Sequence, residues 1–206
     1  MKKSIQVFIT LFIGIVVMQL SPKDNSYKAE IKKWQEEQNT EFKDSKTSPL
    51  TSEDLAKFTA LEFYDINRDY EVEATLELNS NQKEFGMKTT TDRLPIYVKY
   101  GIASFKIKGK DLKINIYKNV ELAKREKYKD YLFMLFTDKT SGTTSYAGGR
   151  YIDLRIPKNG NKLTIDFNKA YNPYCAYNHK YSCPIPPDED YLDIEILAGV
   201  KAYHNK

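Results

Sequence analysis

Two polar segments carry the side chains of this chain that could do chemistry. The first runs Asp166-Phe167-Asn168-Lys169-Ala170-Tyr171-Asn172-Pro173-Tyr174-Cys175 and resumes at Cys183-Pro184-Ile185-Pro186-Pro187. Asp, Asn and Tyr at this density can orient a ligand or brace one another, and the prolines limit the backbone freedom that must be lost on ordering the loop. The second, Thr137 to Tyr151, combines hydroxyls and glycines with Arg150, whose five donors in a fixed fork suit a carboxylate or phosphate. The anion is external or internal. Asp166 is the internal candidate if the strands carrying Arg150 and Asp166 pair across the turn at Asn159-Gly160.

The constellation has three uses. In a binding module, Arg150 holds an anionic group of a small molecule, Tyr146, Tyr151 and Tyr171 supply flat contacts, and Asn168 and Asn172 supply amide hydrogen bonds beside Asp166. In a hydrolase or isomerase, Asp166 is the general base and Arg150 stabilises developing negative charge. In a structural envelope protein the same groups only satisfy one another. No Gly-x-Ser-x-Gly elbow is present, and the only histidines are His179 and His204, so binding is preferred and no cofactor is implied. The expected surface joins the Thr140–Tyr151 turn to the Asp166–Pro187 loop.

Cys175 and Cys183 are the only cysteines. With His179 they form Cys-x3-His-x3-Cys, three potential metal ligands at a spacing unlike that of common zinc sites, so no metal is expected. In an exported chain the plainer reading is a Cys175–Cys183 disulfide, which would stabilise the fold by roughly 2–3 kcal/mol for so short a loop.

The elements that must position these groups are mostly strands. Tyr27 to Lys43 has helical spacing, with Tyr27, Ile31, Trp34 and Phe42 near one face, and Ser48-Pro49-Leu50 ends it. Thr51-Ser52-Glu53-Asp54 caps a second, short helix. From residue 61 the period becomes two: Val72, Ala74, Leu76 and Leu78 alternate with Glu71, Glu73, Thr75 and Glu77. Similar runs follow at 96–100, 103–107, 112–117, 132–136, 150–155, 163–167 and 191–197, separated by turn signals such as Gly109-Lys110-Asp111. A lysine-rich piece from Asn119 to Asp130 reads as a helix or a mobile insertion. The expectation is a mainly β chain, an antiparallel sandwich or partly closed barrel, with two N-terminal helices.

At 206 residues the chain is long enough for one full core. Lys2 and Lys3 precede an apolar run to Leu20, short for a membrane span and without a small-x-small cleavage site. Residues 1–20 are read as a signal peptide or short membrane anchor, and residues 21–206 as one exported β-rich domain. Without the leader, 30 basic residues face 28 acidic ones. That near balance, with no lysine stripe interleaved with aromatics, excludes a nucleic-acid footprint and leaves membrane contact to the N-terminal segment alone.

The two polar segments together resemble the family catalogued as domain of unknown function 1684. Its pattern of Phe-x-Asp-x-Thr-Ser-Gly, Tyr-x-Gly-Gly-Arg-Tyr, Asp-Phe-Asn-Arg-Ala-Tyr-Asn-Pro-x-Cys-Ala, Cys-Pro-Leu-Pro-Pro and Ala-Gly-Glu-Lys is similar to Phe136–Gly142, Tyr146–Tyr151, Asp166–Ala176, Cys183–Pro187 and Ala198–Lys201. The likeness covers about residues 28 to 203. This chain departs from the pattern at Ser145, Lys169, Ile185 and Val200, where the family carries Thr, Arg, Leu and an acid. The resemblance implies no activity.

Overall fold

Alternation of apolar and polar residues builds a sheet with one dry and one mixed face, and the computed structural model, which describes residues 22–203, shows that sheet curled into a half-barrel. The leader read at 1–20 and His204 lie outside the described residues. Among the described residues no helix is long and apolar enough to cross a membrane.

The elements run α1 (Pro22–Lys43), α2 (Ser52–Lys57), β1 (Glu71–Leu78), β2 (Glu84–Gly86), β3 (Ile96–Ile107), β4 (Lys110–Asn119), β5 (Tyr131–Asp138), β6 (Arg150–Arg155), β7 (Lys162–Asp166) and β8 (Tyr191–Leu192). Strand order is β6-β5-β4-β3-β1-β7, with β2 added to β3 and β8 to β5; every pairing is antiparallel except β5 with β8. Of the two expected helices, α1 is full length and buries Tyr27, Ile31 and Phe42. The second, α2, has only six residues and buries none of them, although Thr51 caps it as expected by accepting from the Asp54 N–H at 3.1 Å. The Asn119–Asp130 piece is neither helix nor long insertion but two single 3-10 turns.

The hollow of the half-barrel holds the main core, to which Val72, Ala74 and Leu76 of β1, Ile114 and Ile116 of β4, Leu132, Met134 and Phe136 of β5 and Ile152 and Leu154 of β6 contribute. A second, aromatic cluster of Tyr97, Tyr117, Phe133 and Tyr151 lies on the other face. Tyr97 reaches that face through a bulge between Lys99 and Gly101, which shifts the alternation of β3 by one residue.

The expected hairpin at Asn159-Gly160 does not form as a paired unit. β6 and β7 are consecutive but occupy the two ends of the strand order. β7 instead pairs with β1, from Glu71 opposite Asp166 to Thr75 opposite Lys162, and Tyr151 of β6 exchanges both backbone hydrogen bonds with Tyr171. The physical reason is closure: β7 completes the core by laying Leu163 and Ile165 beside β1, and the sheet remains open along a seam between its first and last strands.

Candidate functional site

The period of two in β6 separates the residues that the sequence grouped together. Arg150, Ile152 and Leu154 point into the core, whereas Tyr151 and Asp153 point to the outer face. Arg150 is completely buried, and its acidic partner is Asp138, not Asp166. Its Nη2 donates to Asp138 Oδ2 at 3.2 Å and to the Ile196 carbonyl at 2.9 Å, and its Nη1 donates to the Ala198 carbonyl at 2.5 Å. Asp138 also accepts from Thr140 Oγ1, Ser141 Oγ and the Ile196 N–H. The Thr137–Tyr151 segment is therefore an internal brace that ties β5, β6 and the C-terminal segment. No ligand can reach the guanidinium.

Asn168 and Asn172 are likewise spent internally. Asn168 is buried, donating to Tyr27 Oη and the Asn67 carbonyl and accepting from the Asn67 N–H. Asn172 donates to Tyr177 Oη and the Lys201 carbonyl. Tyr146 lies against Cys175, its hydroxyl 4.0 Å from Sγ, and burial pushes its own pKa up to about 12. Of the side chains expected to form the site, Tyr151, Tyr171 and Asp166 therefore remain for a shared surface.

Those three do share a cleft, of about 800 Å³, along the seam between β6 and β7 and beneath α1. Glu30, Trp34, Gln38 and Glu41, spaced to fall along one side of α1, form its roof. Its floor is a chain of rings: Tyr131 against Phe133 at 6.4 Å, Phe133 against Tyr151 at 4.8 Å and Tyr151 against Tyr171 at 5.9 Å, the last two edge to face. Tyr151 is locked further by donating to the Pro184 carbonyl.

Carboxylates punctuate this aromatic lining. Asp153 Oδ1 accepts from Tyr131 Oη at 2.7 Å and Tyr171 Oη at 2.6 Å. Asp166 Oδ1 accepts from Tyr27 Oη at 2.9 Å and from the backbone N–H and Nδ2 of Asn168. Glu41 accepts from Tyr174 Oη at 2.6 Å. The second oxygens of Asp153 and Asp166 have no hydrogen-bond partner among the described residues. Burial first, and the neighbouring carboxylate charge second, push Tyr131, Tyr171 and Tyr27 well above the ordinary phenol range, so these hydroxyls stay protonated donors. Glu30 is paired with Lys169 and Glu71 with Arg68, while Arg93 is turned onto Ser182.

Sequence reasoning found Asp166, Tyr151 and Tyr171 but missed Asp153, Tyr131, Trp34 and Glu41. The signal for Asp153 was present: residues 151 and 153 must share the face opposite Arg150 in any strand through 150–155.

The expected disulfide is absent. Cys175 and Cys183 are buried free thiols, with the Cys175 N–H donating to Cys183 Sγ at 3.2 Å. A thiol–thiol hydrogen bond from Cys183 holds Cys175 below the ordinary thiol value and pushes Cys183 above it. The Cys175 N–H partners Cys183 Sγ, and the Tyr146 hydroxyl lies against Cys175 Sγ. His179 is exposed, and among the described residues no three His, Cys, Asp or Glu side chains gather as metal ligands. Protein directed into an oxidising compartment and denatured without reductant should take up two alkyl groups by mass spectrometry; an unlabelled mass two units lower would show the bond instead.

A family model described as a protein of unknown function, DUF1684, matches residues 56–201. The chain is also similar to the solution NMR structure of an uncharacterised protein from Haloarcula marismortui, at 30% identity over 87% of this chain and 96% of that one, with a TM-score of 0.66. No curated protein matches. Because the family match takes in every strand, the Asp138–Arg150 brace and both cysteines, the chain belongs to the DUF1684 family of proteins of unknown function.

Proposed function

We propose that this chain is a small-ligand-binding β module of the cell envelope whose site is the cleft along the β6–β7 seam. The observation that carries the reading is a preformed concavity of about 800 Å³ with a rigid ring floor and few, fixed polar groups, which is the usual make-up of a small-molecule site. The address rests on the apolar run behind Lys2 and Lys3. The hydrolase or isomerase reading keeps its base, Asp166, in the cleft but loses its cation, since Arg150 lies on the core side of β6 and is consumed by Asp138. The anionic ligand loses its clamp for the same reason.

The cleft has a built-in reporter. Trp34 is the only tryptophan of the chain and lies in the roof, so its fluorescence reads the site directly. Titration with sugars, nucleotides, carboxylates and amines should change Trp34 emission for one class, and Tyr171→Phe should weaken that response with little loss of melting temperature. No response from any class would overturn the reading.

A further inference from the structure

Resting on that reading, we infer that the cleft of this chain selects an organic cation, a small molecule bearing a protonated or quaternary amine. The lining carries five carboxylates, Glu30, Glu41, Glu71, Asp153 and Asp166, against two cations, Arg93 and Lys169. Their pairing decides the matter. Glu30 and Glu71 are already neutralised by Lys169 and Arg68. Glu41, Asp153 and Asp166 are not: their hydrogen-bond donors are tyrosine hydroxyls and one asparagine, all neutral. A neutral donor fixes a carboxylate without cancelling its charge, so the cleft is held negative, with Asp153 exposed and Glu41 and Asp166 half-buried.

The tyrosine hydroxyls also fix where that charge sits. Tyr131 and Tyr171 both grip Oδ1 of Asp153, and Tyr27 with Asn168 grips Oδ1 of Asp166, which leaves one oxygen of each carboxylate open to a ligand donor. Tyr131 and Tyr171, with Tyr151 and Trp34, also line the cleft with aromatic rings. Aromatic faces next to fixed carboxylates are what an ammonium group needs, because the ring quadrupole and the carboxylate attract the same charge. The lining cation without a carboxylate partner, Arg93, is turned onto Ser182, so an anion would still meet net negative charge from Glu41, Asp153 and Asp166, and a neutral polyol would leave that charge unanswered.

The test uses choline, putrescine and spermidine as cationic probes, with glucose and acetate as neutral and anionic ones, each read by Trp34 emission at fixed ionic strength. At least one amine should bind at least tenfold more tightly than glucose and acetate. Asp153→Asn should weaken that amine tenfold or more, about 1.4 kcal/mol. Asp111→Asn, which removes the same charge from an exposed position at the start of β4, should leave binding unchanged. Glu41→Gln supplies the same test if Asp153→Asn does not fold. Glucose or acetate binding as tightly as the amines, Asp153→Asn (or Glu41→Gln in its place) binding like the parent chain, or no amine binding up to the millimolar range would each overturn the inference. The broader reading survives those results if a sugar, nucleotide or carboxylate still changes Trp34 emission, and falls only if every class fails.

Discussion

Arg150→Ala is expected to lower the stability of the fold by about 3–5 kcal/mol, because it leaves the Asp138 carboxylate buried without its cation. Both side chains are essentially inaccessible, at 1% and 0%. The guanidinium also satisfies the carbonyls of Ile196 and Ala198, so its loss strands acceptors as well as a charge. Since a domain of this size has about 5–15 kcal/mol in total, the variant should lose a large part of its margin. Arg150→Lys should not rescue it, because an ammonium cannot span Asp138 and two carbonyls with a planar fork. Urea denaturation checks this through the midpoint at unchanged slope. The double variant Asp138→Ala, Arg150→Ala should lose less than the two single losses together, as expected for partners in contact. A midpoint equal to that of the parent chain would mean that the pair contributes nothing.

The brace also shows where the reading of the sequence stops. An internal partner for Arg150 followed from its chemistry, since a buried cation needs one. Choosing Asp166 followed from a turn signal at Asn159-Gly160, which is local, whereas strand pairing is decided by which edges can close the core. β7 finds β1, about ninety residues away in sequence, and that choice leaves no local trace. The strands themselves were legible, β6 to the residue, because period-two patterning is imposed by burial on one face. The bulge at Lys99/Gly101 was not legible, and it alone brings Tyr97 to the aromatic face. The cleft was half legible for the same reason: Tyr151, Tyr171 and Asp166 lie in the polar motif, whereas Trp34 and Glu41 arrive on a helix that packs from afar.

Gly199 should be nearly as sensitive as Arg150, and for a steric reason. Its φ is +80°, and a Cβ there would lie 2.5 Å from the Ala170 carbonyl oxygen and 2.8 Å from that of Phe167. The close approach is used: the Tyr64 N–H donates to the Gly199 carbonyl, the Val200 N–H donates to the Ala170 carbonyl, and the preceding Ala198 carbonyl is held by Arg150. Gly199→Ala must therefore bear both the left-handed backbone and a forced shift in a packed segment, together about 2–5 kcal/mol. Gly160 separates the two contributions. It has φ +65° with nothing within 4 Å of a Cβ, so Gly160→Ala bears only the backbone cost, about 1–2 kcal/mol. Thermal denaturation of the two variants side by side should show the larger fall at Gly199. Equal falls would mean that left-handed backbone alone matters, and that the packing of residues 198–200 against the Phe167–Ala170 turn can yield without loss.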